Sequence, residues 1–343
     1  MTAPATPPSI RLSNLLANMS LMDLTPIQSL VAADFARVDS LIAQCLHSEI
    51  PLIPQLATHL IHSGGKRLRP LITLLSAGAS GYQGDAHVQL AATLELIHTA
   101  TLLHDDVIDA SELRRGKKTA NTLWGNSASI LVGDFLYSRA FQLMVKVNNL
   151  RALQSLADAT NTLSQSEIWQ LINCHNPDLD ETQYLKIVAG KTGILFSIAA
   201  EQPAILAERN EAEITAMLNY GLQLGIAFQL IDDTLDYVGS ATRIGKAKGD
   251  DLAEGKTTLP LIYALQHADK NQTQLIHEAI SQGKRKYLKD IIRIIKSTGA
   301  IDYTYQRAKE HAAKAIASLE VIPDSIYKQA LATLAEFATT RTH

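Results

Sequence analysis

Residues 90–109 read LAATLELIHTATLLHDDVID, and their spacing decides the fold class. Leu90, Leu94, Ile97 and Thr101 recur at steps of four, three and four, the period of an α-helix with one buried face. No proline interrupts the chain from Leu71 to Asn176, a stretch rich in Leu, Ile and Ala. Alternating β-branched runs joined by Asn-Gly or Asp-Gly turns are missing, so strands have little support. The expectation is an all-α fold, a single large helical bundle with long helices and short polar connections. Residues 173–180 and 239–255 read as loops.

The same stretch ends on an acidic cluster. On a helix, Asp105 and Asp109 stand one turn apart on one face, with Asp106 beside them. Like charges at that spacing repel, and Thr101 and Leu102 occupy the places where a lysine or arginine would relieve them. Carboxylates so placed need a cation. Hard oxygen donors suit magnesium, which keeps some waters and shares phosphate oxygens.

The cluster has an echo. Leu103-His104-Asp105-Asp106-Val107-Ile108-Asp109 is followed by Arg114-Arg115-Gly116-Lys117, and Leu230-Ile231-Asp232-Asp233-Thr234-Leu235-Asp236 by Arg243-Ile244-Gly245-Lys246. Gln229, Asp232, Asp233 and Asp236 form one stripe of one helix; Gly225, a turn earlier, leaves room for a ligand. One such cluster can be a solvated acidic face. Two, each preceded by apolar residues and followed by cations, suggest two helices bringing equivalent chemistry to opposite sides of one cavity.

Cations recur at other points of the chain. Gly64-Gly65-Lys66-Arg67-Leu68-Arg69-Pro70 places three of them after two glycines, before a helix expected to start at Pro70. Adjacent Arg114 and Arg115 point different ways and can serve two anions. Lys191-Thr192-Gly193 is expected to end a helical stretch. Lys246 and Lys256 flank an acidic loop with Asp250, Asp251 and Glu254, where ordinary salt pairing is the competing explanation.

Composition sets limits. The chain has 343 residues, of which 46% are apolar, enough for one large core. A net charge of −3 gives no global basic excess for nucleic acid, so anion sites must be local. Two distant cysteines, Cys45 and Cys174, form neither a metal motif nor a disulfide framework and fit a reducing cytoplasm. No apolar run approaches the ~18 residues of a membrane span, and stable insertion is not expected. Residues 1–21 read as a poorly ordered extension, or as preceding a true start at Met22; a short docking helix through Leu12, Leu15, Leu16 and Met19 is the alternative. The domain proper is expected over 22–343, opening with Thr25 as N-cap and Pro26 at the first helical position.

These motifs resemble the trans-isoprenyl diphosphate synthases, most closely their long-chain polyprenyl type, from about Met22 to the C-terminus. G-G-K-R-L-R-P, L-L-H-D-D-V-I-D-x4-R-R-G-K, K-T-G, F-Q-L-I-D-D-x-L-D and G-D-D-L-A-E-G-K-T-T-L-P stand in that family's order. The resemblance implies a helical isoprenoid-synthase fold with a central cavity, usually homodimeric. It implies magnesium held by Asp105, Asp109 and Asp232, with Asp236 in support. Arg114, Lys191, Thr192, Gln229, Lys246 and Lys256 would bind the allylic diphosphate. Lys66, Arg69, His98 and Arg115 would bind isopentenyl diphosphate. His98 without the family would read as a hydrogen-bonded core histidine.

The implied reaction is repeated condensation of isopentenyl diphosphate onto an allylic diphosphate such as farnesyl diphosphate. The expected product is octaprenyl diphosphate, for a quinone side chain. Small residues at Ala100 and Thr101, just before the first cluster, leave the tail an open path, with Phe141 and Met144 as candidate floor residues. On that view Ala100→Tyr shortens the product. Three rivals stay open: a class I terpene cyclase, a metal phosphohydrolase using His98 and His104-Asp105, and a regulatory subunit.

Overall fold

In the computed structural model, residues 24–61, 65–239, 248–283 and 285–340 are described, and they are overwhelmingly helical. The expectations placed on residues 1–21 and on Lys246 lie outside them. In chain order the α-helices are α1 Thr25–Ser29, α2 Ala32–Cys45, α3 Leu52–Ile61, α4 Leu68–Ala79, α5 Ala86–Ile108, α6 Ala120–Trp124, α7 Asn126–Val147, α8 Leu150–Ile172 and α9 Glu181–Val188. A π-helical turn, Ala189–Gly193, leads into α10 Ile194–Leu206 and then α11 Glu211–Val238. The chain closes with α12 Asp250–Ala253, α13 Leu259–His267, α14 Lys270–Gln282, α15 Leu288–Ser297, α16 Ala300–Ser318 and α17 Ile326–Thr340.

Local chemistry sets several boundaries. Asp180 and Gln183 form a capping box at the start of α9, and Asp269 and Gln272 do the same for α14. The Asn149 and Asn210 side chains accept backbone N–H bonds at the starts of α8 and α11. Leu24, not Thr25, holds the N-cap position of α1, although Pro26 remains in the first turn. Likewise α4 begins at Leu68 rather than Pro70. Arg67, at φ 48, turns the chain just before it, and Pro70 falls in the first turn, where its missing N–H costs nothing.

Helix α11 runs through the bundle, packed on α10 and α16, while α5 packs on α7 and on α4. At 28 residues, α11 is long and apolar enough to cross a membrane, but more than half of that stretch is buried and it carries the second acidic cluster, which marks it as a core helix. The main core gathers Leu71, Leu75, Leu94, Ile97, Phe196 and Tyr220 among many others. Helices α10 and α11 cross almost backbone to backbone. A Cβ on Gly221 would lie 2.1 Å from the Phe196 carbonyl oxygen, and one on Gly225 would lie 2.7 Å from Gly193 Cα. The space beside Gly225, expected for a ligand, is therefore filled by Gly193 and Phe196, and this glycine serves helix packing.

Two further departures concern local structure. Lys191 and Thr192 do not end a helix; they sit in the π-turn that joins α9 to α10, a local widening common at functional sites. And a two-residue antiparallel pair interrupts the helices: β1 Leu113–Arg114 with β2 Lys117–Lys118. Its turn residues, Arg115 and Gly116, both have positive φ (53° and 76°), the geometry of a tight hairpin.

Candidate active site

A cavity of about 710 Å³ lies between α4, α5, α8, α9, α10 and α11. The apolar faces of α5 and α11 pack into the core, so their polar ends are left at its mouth. Asp105 and Asp109 line it from α5, and Asp232, Asp233 and Asp236 line it from α11. The two clusters thus face one space, as their echo suggested.

Within the first cluster the aspartates divide. Asp106 is fully buried and accepts from Arg114 Nε at 3.0 Å and Nη2 at 2.8 Å. It is a strut that sets Arg114 at the cavity wall. Asp105 faces Lys191 Nζ at 3.8 Å, while Lys191 also meets Glu167 and Gln170, each at 2.7 Å. Asp109 accepts from Lys256 Nζ at 2.9 Å, and Glu254 does so at 2.6 Å. Burial by itself would lower the Lys256 ammonium, but Asp109 and Glu254 overcome it and hold the proton more tightly than usual. Burial, with Asp105 nearby, pushes the Glu167 carboxyl up.

The second cluster is tied into a buried chain of hydrogen bonds. Thr192 Oγ1 donates to Gln229 Oε1 at 2.8 Å, and Gln229 Nε2 donates to Asp233 Oδ1 at 2.7 Å. The Tyr184 hydroxyl donates to the other oxygen of Asp233. Burial, with Asp251 beside it, pushes Asp233 up to about 8; burial with Asp251 and Asp250 pushes Asp236 up to about 9. Asp236 Oδ1 accepts from the Asp250 backbone N–H, while its Oδ2 is buried without a hydrogen-bond partner.

The same cavity carries a set of cations from other elements. Arg69 stacks over the Phe196 ring at 4.8 Å, is lowered to about 10 by burial, and leaves its buried Nε without a hydrogen-bond partner. Lys66 Nζ lies 5.2 Å from the Phe337 ring centre. Arg115 lies directly against Gly65, where a Cβ would come within 2.6 Å of its guanidinium. The strained left-handed backbone at Arg67 and Arg115 aims two cations that an extended chain would send elsewhere. Burial, then Arg69, Arg114 and Arg115, push the His98 imidazole well down, so it adds no further charge there.

Four residues of this site escaped the sequence-based expectations. Glu95 lines the cavity one turn before His98, with Arg67 Nε at 3.6 Å and Arg69 and Arg115 close by. Glu167 and Gln170 reach in from α8, and Tyr184 from α9. None of them belongs to a recognisable motif; the only available signal was the three-residue spacing of Glu95 with His98 and of Glu167 with Gln170. Tyr184→Phe keeps the ring packing but frees one oxygen of Asp233. It should cut turnover about tenfold and raise the metal concentration for half-activity, since Asp233 lies between Asp232 and Asp236 on the same helix turn and fixes how they present. Unchanged metal dependence in steady-state assays would remove that role.

Among the described residues no three His, Cys, Asp or Glu side chains close tightly enough to hold an ion alone. The donor set nevertheless fits a divalent cation that shares its shell with phosphate. Hard carboxylate oxygens face one space from two helices, and Asp236 Oδ2 is buried unpaired.

Thr101 lines both this cavity and a second one of about 700 Å³ bounded by α5, α7 and α8, as do Leu163 and Glu167. Tyr137 and Phe141 line the second cavity. Ala100 and Met144 do not line either one; both are fully buried in the packed core. Ala100 is a third of a turn round α5 from Thr101, which turns it into the helix packing. His104 opens on the second cavity, with Asp134 at 3.4 Å, whereas His98 opens on the first, so the two histidines do not converge.

The family model described as polyprenyl synthetase matches residues 50–296. Octaprenyl diphosphate synthase of Escherichia coli K12 is 47% identical over 321 residues, covering 93% of this chain and 99% of that protein. All-trans-nonaprenyl-diphosphate synthase (geranyl-diphosphate specific) of Rhodobacter capsulatus is 44% identical, covering 91% and 96%. The crystal structure of a polyprenyl synthase from Caulobacter crescentus CB15, complexed with calcium and isoprenyl diphosphate, superposes with a TM-score of 0.91 at 42% identity, covering 95% of this chain and all of that one.

Proposed function

This chain belongs to the polyprenyl synthetase family, and from that premise we propose how its site builds a long prenyl chain. It is a prenyltransferase that condenses isopentenyl diphosphate with an allylic diphosphate into a long-chain product; cyclisation, phosphate hydrolysis and a purely regulatory role fall away. The proposal adds farnesyl diphosphate as starter, octaprenyl diphosphate as product for a quinone side chain, and magnesium as the divalent metal. The observation that carries it is that two acidic clusters and the cations Lys66, Arg69, Arg114, Arg115, Lys191 and Lys256 all line one cavity.

Arg114, Lys191, Thr192, Gln229 and Lys256 bind the allylic diphosphate, joined by Lys246 from outside the described residues. Asp105, Asp109, Asp232 and Asp236 hold magnesium, which when bound supplies positive charge to the leaving diphosphate. Arg114 and Lys191 stabilise the same charge as the allylic C–O bond breaks with its electron pair on oxygen. Lys66, Arg69, His98 and Arg115 hold isopentenyl diphosphate so that its double bond attacks the allylic carbon. A proton then leaves the condensed product for the released diphosphate, and the new allylic diphosphate enters the next cycle.

The growing tail passes Thr101 and Leu163 into the second cavity. Thr101→Tyr places a phenol in that passage, and the product should shorten to about three or four units, read by chromatography of dephosphorylated products; unchanged length would refute this route. The overpacking expected at buried Ala100 makes Ala100→Tyr a weaker test, since it also strains the core.

We assign the protein to the cytoplasm as a homodimer. Ile130, Leu131 and Val145 on α7, with Ile168, Leu171 and Ile172 on α8, are exposed and would be covered by a second copy. Light scattering at the mass of one chain would exclude that assembly. The reaction is tested by incubating the protein with farnesyl diphosphate, labelled isopentenyl diphosphate and magnesium. A ladder ending near the octaprenyl product supports the proposal; hydrolysis without chain growth would overturn it.

A further inference from the structure

The segment Arg285–Lys296 concentrates charge of one sign. It holds Arg285, Lys286, Lys289, Arg293 and Lys296 against a single acid, Asp290, in a chain whose net charge is −3. All five cations are exposed. The steps from Lys289 to Arg293 and Lys296 are four and three residues, so these three share one face of α15 along about 10 Å, and Arg285 and Lys286 sit in the 3-10 turn Arg285–Tyr287 just before it. The opposite face is fully engaged: Ile291, Ile294 and Ile295 are buried with Tyr237, Leu252 and Ile280 in a satellite core. Leu288 and Ile292, partly buried, also pack against that core, so little apolar surface of α15 is left over for insertion.

The groups facing this stripe leave it basic. Asp290 pairs with Arg293 at 3.2 Å, and Asp250 pairs with Arg285. Glu278, on α14, accepts from the Tyr287 hydroxyl, and Lys286 lies 4.4 Å from the Tyr287 ring centre. Lys289 and Lys296 form no ion pair among the described residues. The start of the segment lies next to the cavity. Leu288 packs against Gly249, and Asp250, which Arg285 holds, lines that cavity.

We propose that the basic face of α15 and the preceding turn docks the protein on an anionic lipid surface, at the border of the active-site mouth. The cations lie in a row and do not converge on a point, which suits many headgroup charges in a plane better than one free phosphate. Such docking is peripheral and electrostatic: attraction to an anionic leaflet adds up over the basic residues and falls off within a Debye length. It goes beyond the prenyl-transfer assignment and does not depend on it, although a long-chain lipid product gives it an evident use.

Co-sedimentation of the full chain with vesicles tests this without turnover. Vesicles of phosphatidylcholine with phosphatidylglycerol should retain the protein, and phosphatidylcholine alone should not. Each cation lost weakens binding about fivefold, so Lys289→Gln, Arg293→Gln and Lys296→Gln together should weaken it about a hundredfold. Added salt should release the protein, while the triple variant keeps wild-type helicity and vesicle-free activity. Equal binding by the triple variant, equal binding to neutral vesicles, or retention on RNA with none on anionic vesicles would each overturn the proposal. No binding of the unaltered chain to anionic vesicles, with its prenyl transfer intact, would refute docking and leave the reaction standing.

Discussion

Asp105→Ala is expected to slow prenyl transfer at least about a thousandfold while leaving the fold intact. Asp105 is a cavity-wall carboxylate facing Lys191 at 3.8 Å, with Glu167 held by the same lysine. Charge stabilisation at a breaking bond to diphosphate is worth several kcal/mol, and each ~1.4 kcal/mol lost is tenfold in rate. Removing Asp105 also relieves its repulsion of Glu167, one of the causes that push that carboxyl up. Thermal stability without substrate should therefore hold or rise slightly, the sign of a residue placed for function at a cost in stability. Steady-state rates over a magnesium series, beside thermal melts of both proteins, provide the measurement. Activity within tenfold of wild type would remove Asp105 from the metal site; a large loss of melting temperature would show that it acts through the fold.

Glu95→Gln is expected to act the other way, on stability first. Glu95 is only 15% exposed and stands among Arg67, Arg69 and Arg115. Burial raises its carboxyl and lowers Arg69, so for both partners desolvation outweighs pairing in the free protein. Removing one partner of such a cluster leaves guanidinium charge uncompensated, a loss of about 3 kcal/mol. A diphosphate brought to the same arginines replaces the missing negative charge. Isopentenyl diphosphate should therefore raise the melting temperature of the variant more than that of the wild type, while kcat falls about tenfold through misplaced arginines. Glu95→Asp, which keeps the charge, should restore most of the stability. Equal ligand-induced shifts in wild type and Glu95→Gln would show that Glu95 does not organise these arginines.

Much of the molecule was legible because helical geometry is local. A period near 3.6 placed Asp105 with Asp109, and Gln229 with Asp232, Asp233 and Asp236, on single faces before any packing was known. The all-α class follows from the same period and from the absence of proline between Leu71 and Asn176. The family's motifs then named cations that the structure brings to one cavity: Lys66, Arg69, Arg114, Arg115, Lys191 and Lys256.

What only tertiary structure decided involves partners far apart in the chain. Asp106 props Arg114 through a hairpin of two residues a side, too short to leave an alternating pattern. Gly225 is small because α10 crosses α11 there, a fact set by Gly193 and Phe196 some thirty residues earlier. Glu95, Glu167 and Tyr184 belong to no motif of their own helices, and each gains its meaning from a group on another element. Ala100 and Thr101 are neighbours in sequence, yet one packs in the core and the other lines both cavities, because 100° of helix rotation separates them. Spacing along the chain determines which side chains share a face. How the helices cross determines what each face meets, since the core's close packing admits only one such set of contacts.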